Sequence, residues 1–232
     1  MNEPPKRRMV RPPAGGPARA APERLKSSKT RTPSSRAWLE RQIADPFAAE
    51  ARARGYRSRA AFKLIEIDDR FRLMRRGAKV IDLGCAPGGW LQVAIERGAV
   101  VVGVDLLETA PVADATILQA DFTEEGCAEA LIAALGGAPD LIVSDMAPNT
   151  TGHQRTDHLR IVALIEAAAT FALDSLKPGG ALLAKAFQGG ETAEIAARLK
   201  IAFSEVRHLK PKASRADSSE LYLLAKGFRG RG

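Results

Sequence analysis

The nine residues Asp82-Leu83-Gly84-Cys85-Ala86-Pro87-Gly88-Gly89-Trp90 carry the densest chemical signal in this 232-residue chain. A β-branched pair, Val80-Ile81, precedes them, and an apolar-periodic run of Leu91, Val93, Ala94 and Ile95 follows. Strand, glycine turn, helix is the order found where a nucleotide-like cofactor meets the carboxyl edge of an open α/β sheet. Glycine lets a backbone approach a ligand where a Cβ would not fit. Ala86 stands where the dinucleotide fingerprint has its second glycine, so the turn departs from that fingerprint. Three more acids close short β-rich runs: Asp105 after Val101-Val102-Gly103-Val104, Asp121 after Ile117-Leu118-Gln119-Ala120, and Asp145 after Leu141-Ile142-Val143-Ser144. Asp105 lies 21 residues beyond Gly84, a separation at which an acid commonly holds ribose hydroxyls. Asp121 with Phe122 suits an adenine amino group and ring face. Lys185 sits inside the apolar run Ala181-Leu182-Leu183-Ala184-Lys185-Ala186-Phe187, where a lone ammonium is costly to bury. Asp145 on a neighbouring strand and Glu220 at the start of the last strand would bring its counter-charges to the same edge.

The elements that must position these residues follow from periodicity. Strands are predicted at 79–83, 100–104, 116–119, 140–145, 180–187, 203–210 and 219–226, with helical patterns at 89–97, 124–135, 157–176 and 191–202. This alternation predicts a seven-stranded, mostly parallel sheet with helices on both faces. Because no helical pattern separates the last two strands, a hairpin-like return would make the final strand antiparallel. Upstream, a helical element from Trp38 to about Arg54 is interrupted at Pro46, and Ser58 is placed to cap a helix running to about Leu73. Arg52, Arg54, Arg57, Arg59 and Lys63 cluster there, and the stretch 37–78 is expected to face a nucleic-acid backbone.

The net charge of +8 is unevenly placed. Residues 1–36 hold ten basic against two acidic residues and seven of the fourteen prolines, whereas 37–232 is charge-balanced. The first 36 residues are therefore expected to be a disordered basic tail suited to a polyanion, and 37–232 to form one domain. No apolar run reaches the roughly 18 residues a bilayer span requires, and no secretory signal is recognisable, so a cytoplasmic protein without a membrane partner is expected. Cys85 and Cys127 have no Cys-x-x-Cys spacing, and His153, His158 and His208 have no ligand spacing, so neither disulfide nor metal is expected. A monomer is the default expectation.

An acid opening a Gly-x-x-x-Gly turn resembles the S-adenosylmethionine loop of Rossmann-like methyltransferases. Asp145-Met146-Ala147-Pro148-Asn149 lacks the paired prolines and aromatic residue of enzymes that methylate exocyclic amines. Taken with Arg57-Ser58-Arg59-Ala60-Ala61-Phe62-Lys63-Leu64, the Asp82 to Trp90 loop, Lys185-Ala186-Phe187, and Ser214-Arg215 through Ser218-Ser219-Glu220, the chain resembles the FtsJ/RrmJ (RlmE) family of ribose 2′-O-methyltransferases. The likeness spans about residues 37–228; Ala61 departs from it, where a bulky aromatic often precedes the phenylalanine.

That resemblance implies a Rossmann-like methyltransferase fold and a Lys-Asp-Lys-Glu tetrad at Lys63, Asp145, Lys185 and Glu220. It implies cofactor contacts at Gly88, Trp90, Asp105, Asp121 and Asp145, with S-adenosylmethionine converted to S-adenosylhomocysteine and no metal required. The implied substrate is a uridine in the A-loop of 23S rRNA on the assembled 50S subunit. A tRNA or mitochondrial rRNA ribose methyltransferase, or a non-catalytic ribosome-assembly factor, are the alternatives. The resemblance assigns Lys185 as proton acceptor. Our reading of its charged surroundings is that it orients the hydroxyl and stabilises oxyanion character, with the proton lost late.

Overall fold

The computed structural model describes residues 45–148, 154–187, 190–215 and 218–230. The expected basic tail, the helical start at Trp38, Asn149 and His153 lie outside these residues. The elements run α1 (Pro46–Arg54), α2 (Ala60–Phe71), β1 (Lys79–Leu83), α3 (Gly89–Glu96), β2 (Val100–Asp105), β3 (Ala115–Gln119) and α4 (Cys127–Leu135). They continue with β4 (Leu141–Ser144), α5 (Gln154–Ser175), β5 (Ala181–Phe187), α6 (Gly190–Ala202), β6 (Phe203–Leu209) and β7 (Glu220–Phe228).

The seven strands form one sheet in the order β3-β2-β1-β4-β5-β7-β6. β1 to β5 pair in parallel, and β7 runs antiparallel to both β5 and β6. The expected Rossmann-like methyltransferase arrangement is therefore the observed one. Alternate strand residues point to opposite faces, and both faces are buried. Ile81, Val102, Ile142, Leu182 and Leu223 join the cluster under α4, α5 and α6. Val80, Val101, Leu141, Leu183 and Leu224 join the cluster under α2 and α3.

Local chemistry explains most boundaries. Pro46 opens α1, where its missing N–H costs nothing and its fixed φ favours the first turn. Ser58 does not cap α2, as its position suggested. The cap residue is Arg59, with no side-chain cap bond. Ser58 is instead pressed against the glycine turn, since a Cβ on Gly89 would lie 2.6 Å from its Oγ. α2 ends at Phe71 rather than Leu73, because Arg72 adopts a left-handed conformation at φ 52° and returns its amide to the Asp68 carbonyl.

The glycine turn also serves the protein's own backbone. At Gly84, with φ at +79°, a Cβ would come within 2.6 Å of Met146 Cγ and 3.0 Å of Met146 Cα. The loops leaving β1 and β4 approach that closely only because Gly84 has no side chain. Gly84→Ala combines a left-handed backbone penalty with overpacking, and a loss of about 1–3 kcal/mol is expected. Urea unfolding with an unchanged midpoint would contradict this reading.

Candidate active site

Five polar residues meet at the carboxyl edge of the sheet, on the face covered by α2 and α3. The parallel register pairs Ser144 with Ala184, which carries Asp145 alongside Lys185. Antiparallel β7 then places Tyr222 opposite Lys185 and Glu220 opposite Phe187. Lys63 reaches the same point from the buried side of α2. Lys185 Nζ lies 2.9 Å from Asp145 Oδ1 and 3.9 Å from Glu220 Oε2. Lys63 Nζ lies 2.7 Å from Glu220 Oε1 and 3.9 Å from Asp145 Oδ1. Lys185 also donates to the Asp145 main-chain carbonyl at 2.7 Å. Lys63, Asp145, Lys185 and Glu220 are thus brought together from four separate elements or their ends.

Tyr222 is the fifth member, and its only sequence cue is its place two residues beyond Glu220, on the same strand face. Its hydroxyl accepts from Lys63 Nζ at 3.0 Å and donates to Asp145 Oδ1 at 2.6 Å. Burial, then the charges of Asp145 and Glu220, push this phenol well above the usual tyrosine range, so it remains a donor. Ser214 Oγ donates to Glu220 Oε1 at 2.9 Å, and the Glu220 amide donates to Ser218 Oγ at 3.1 Å, fixing the carboxylate from the preceding loop. A cleft of about 350 Å³ opens beside the cluster, lined by Arg59, Lys63, Arg215, Ser218 and Glu220. Burial, then the adjacent Arg215 charge, pulls the Arg59 guanidinium below its usual range.

A second group of acids lies along the same edge. Asp105 accepts from the Ala86 amide at 2.9 Å and from the Leu107 amide at 2.8 Å, joining the glycine turn to the loop after β2. Asp121 lies off β3 and accepts from the amide and hydroxyl of Thr123 at 2.8 and 2.6 Å. Those bonds hold its carboxyl below the usual carboxylate range. Phe122 packs edge-on against Phe171 of α5, with centroids 5.3 Å apart. Trp90 is buried, and its indole N–H donates to the Ala60 carbonyl at 2.7 Å, so its side chain anchors α2 to α3. The Trp90 backbone lies in the first turn of α3. Gly88 has φ at +106°, and a Cβ there would lie 2.9 Å from Val112 Cγ2 and 3.1 Å from Arg57 Nη1.

Asp82 completes this edge from within. It is 1% exposed, and both carboxyl oxygens lack a hydrogen-bond partner among the described residues. Burial, then the charges of Asp145 and Asp105, raise its carboxyl well above the usual range. Burial, then Asp82 and Asp105, push the neighbouring Cys85 thiol up to about 12, so it is no nucleophile. The carboxylates of Asp105 and Asp145, with the buried and orphaned Asp82 beside them, fit a cationic ligand such as S-adenosylmethionine, which bears a sulfonium and an ammonium group. No group of three or more metal-binding side chains occurs among the described residues.

The basic cluster expected to face nucleic acid is divided. Arg54 pairs with Glu50 at 2.7 Å and lies over the Phe62 ring. The Arg57 guanidinium is engaged by main-chain carbonyls, and Lys63 belongs to the buried cluster. Among the described residues no helix is long and apolar enough to cross a membrane.

Sheet order, the lone antiparallel strand and the paired amines and carboxylates define a Rossmann-like methyltransferase. The FtsJ-like methyltransferase family matches residues 56–228, and the chain belongs to it. Over 226 residues the chain is 66% identical to Ribosomal RNA large subunit methyltransferase E of Caulobacter vibrioides, covering 96% of this chain and 100% of that one. The protein of the same name from Granulibacter bethesdensis is 56% identical over 209 residues, covering 90% and 91%. The crystal structure of a ribosomal RNA methyltransferase from Plasmodium falciparum matches with a TM-score of 0.68 at 30% identity, over 76% of this chain and all of that one.

Asp82 gives a pH signature. The unfolded chain ionises this carboxyl at the ordinary aspartate value, whereas the folded chain keeps it protonated to a higher pH. The contribution of Asp82 to stability is therefore fully present below the ordinary value and is lost as pH rises towards the raised one. Asp82→Asn should remove that loss, so that its urea midpoint gains on the unaltered protein's between about pH 4 and pH 7. Parallel curves for the two proteins would mean that Asp82 is ionised in the fold.

Proposed function

We propose that this protein transfers a methyl group from S-adenosylmethionine to a ribose 2′-hydroxyl of large-subunit ribosomal RNA. The carrying observation is the Lys63–Asp145–Lys185–Glu220 cluster at the sheet edge beside an open cleft. The substrate assignment is supported by the relatives' names, and by kinship the nucleotide is a uridine of the 23S A-loop on the 50S subunit, in the cytoplasm.

When bound, S-adenosylmethionine supplies an electrophilic methyl group and leaves as S-adenosylhomocysteine. Asp105 and the Gly88–Trp90 backbone would hold its ribose and amino-acid portions, Asp121 its base, and Asp145 the cationic end nearest Lys185. The protein's remaining task is alignment of the hydroxyl oxygen with the methyl carbon and sulfur. Lys185 has three N–H donors, and the main-chain and carboxylate oxygens of Asp145 take two. The third is left for the incoming 2′-oxygen. Lys185 thereby orients the hydroxyl so that an oxygen lone pair faces the methyl carbon as the C–O bond forms and the C–S bond breaks. The positive charge that bond formation leaves on the oxygen is relieved as the hydroxyl proton passes, late, to solvent in the open cleft. Lys63 and Tyr222 hold Asp145 and Glu220 so that neither carboxylate collapses onto the substrate oxygen.

The test is tritiated-methyl transfer to 50S subunits lacking the modification. Lys185→Ala should lose at least about 100-fold in rate while its S-adenosylmethionine Kd changes less than about threefold. Lys185→Arg keeps a cation that accepts no proton, and it should retain more activity than the alanine variant. Transfer to isolated tRNA in preference to 50S subunits would refute the substrate assignment. Tyr222→Phe should slow transfer about tenfold or more without weakening donor binding, because it leaves two buried charges short of a partner. An unchanged rate would remove Tyr222 from the site.

A further inference from the structure

Arg57 lies in the stretch whose charge suggests RNA contact, but its guanidinium is engaged elsewhere. Nη1 donates to the Pro87 carbonyl at 3.1 Å and the Ala110 carbonyl at 2.5 Å, and Nη2 donates to the Pro111 carbonyl at 2.5 Å. Pro87 belongs to the glycine turn; Ala110 and Pro111 belong to the loop after β2. The start of that loop is held by Asp105, whose two carboxylate oxygens are divided between the Leu107 amide and the Ala86 amide of the same turn. The result is a closed circuit: turn, Asp105, loop, Arg57, turn. Val112 at the loop's end lies against Gly88, in the space a Cβ would fill.

Arg57 is itself braced. Its amide donates to Gln92 Oε1 at 2.9 Å, and Gln92 Nε2 donates to the Gly55 carbonyl at 2.9 Å. The segment entering α2 is thus bolted to α3, and the fork reaches across the glycine turn from a fixed base. Three carbonyls at this spread match a planar fork; a lysine offers one nitrogen and cannot span them.

We infer that Arg57 is a positioning residue for the methyl-donor cradle rather than an RNA contact, holding the 106–112 loop against the glycine turn so that Asp105 keeps its orientation. The inference rests on the proposed S-adenosylmethionine site. Binding of the donor by the unaltered protein tests that site separately, and its absence would overturn both.

Two variants of the full chain, Arg57→Lys and Arg57→Met, separate the roles. A cradle role predicts that both raise the S-adenosylmethionine Kd about tenfold or more by calorimetry. Without ligand, amide exchange over 106–112 should quicken in both while β1 and β4 stay as protected as before. Binding to a short RNA hairpin, titrated between about 50 and 200 mM salt, should keep its slope in Arg57→Met. A lysine variant that binds the donor like the unaltered protein would overturn the inference. So would exchange that quickens throughout the sheet, or a salt slope shallower by nearly one phosphate contact in Arg57→Met.

Discussion

Two ammonium groups and two carboxylates held nearly out of water at one strand edge are the constraint to which the rest of the structure answers. Side-chain exposure is 10% for Lys63, 9% for Lys185, 18% for Asp145 and 14% for Glu220. Charges withdrawn this far cost several kcal/mol each unless paired. Each amine has one close carboxylate partner and one farther away, and Tyr222 fills the gap between Lys63 and Asp145. The balance leaves an ammonium beside a cleft without leaving an uncompensated charge in the core.

The direction of β7 is what makes that balance possible. In a parallel strand the first residue would sit at the amino edge of the sheet, far from Asp145. Antiparallel pairing brings Glu220 level with Phe187, at the end of β5. One reversed strand thus supplies the cluster with its second carboxylate and its tyrosine. The covering helix α2 adds Lys63 because its apolar side, with Ala61, Leu64 and Ile67, packs on the same sheet face.

Beside this mixed cluster, the charges of Asp145 and of Asp105, at the end of β2, bear on the buried Asp82 of β1. Asp82 answers by keeping its proton, and Asp105 by recruiting two amides. On the proposed function the two halves of the edge would take different partners, a cation on one side and a hydroxyl approaching an ammonium on the other. The glycines between them serve packing as well as ligand approach: Gly84 admits Met146, and Gly88 admits Val112 and Arg57.

The chain's local patterns determined the seven strands, the glycine turn and the acids at strand ends, because alternation and turn chemistry are short-range properties. The likeness to a known family pointed to Lys63 as a site residue, where the local pattern marked it only as one of a basic cluster. Strand ends were legible only approximately: β4 is 141–144 rather than 140–145, since its last residues leave the ladder to meet the site. Tertiary structure alone decided how charges are shared among residues as far apart as Lys63 and Tyr222. It also decided that Ser58 packs instead of capping, that Trp90 turns its indole inward, and that Arg57 spends its guanidinium on carbonyls. Composition can count charges, but a hydrogen bond needs two groups within about 3 Å, and only packing across the sheet sets that distance.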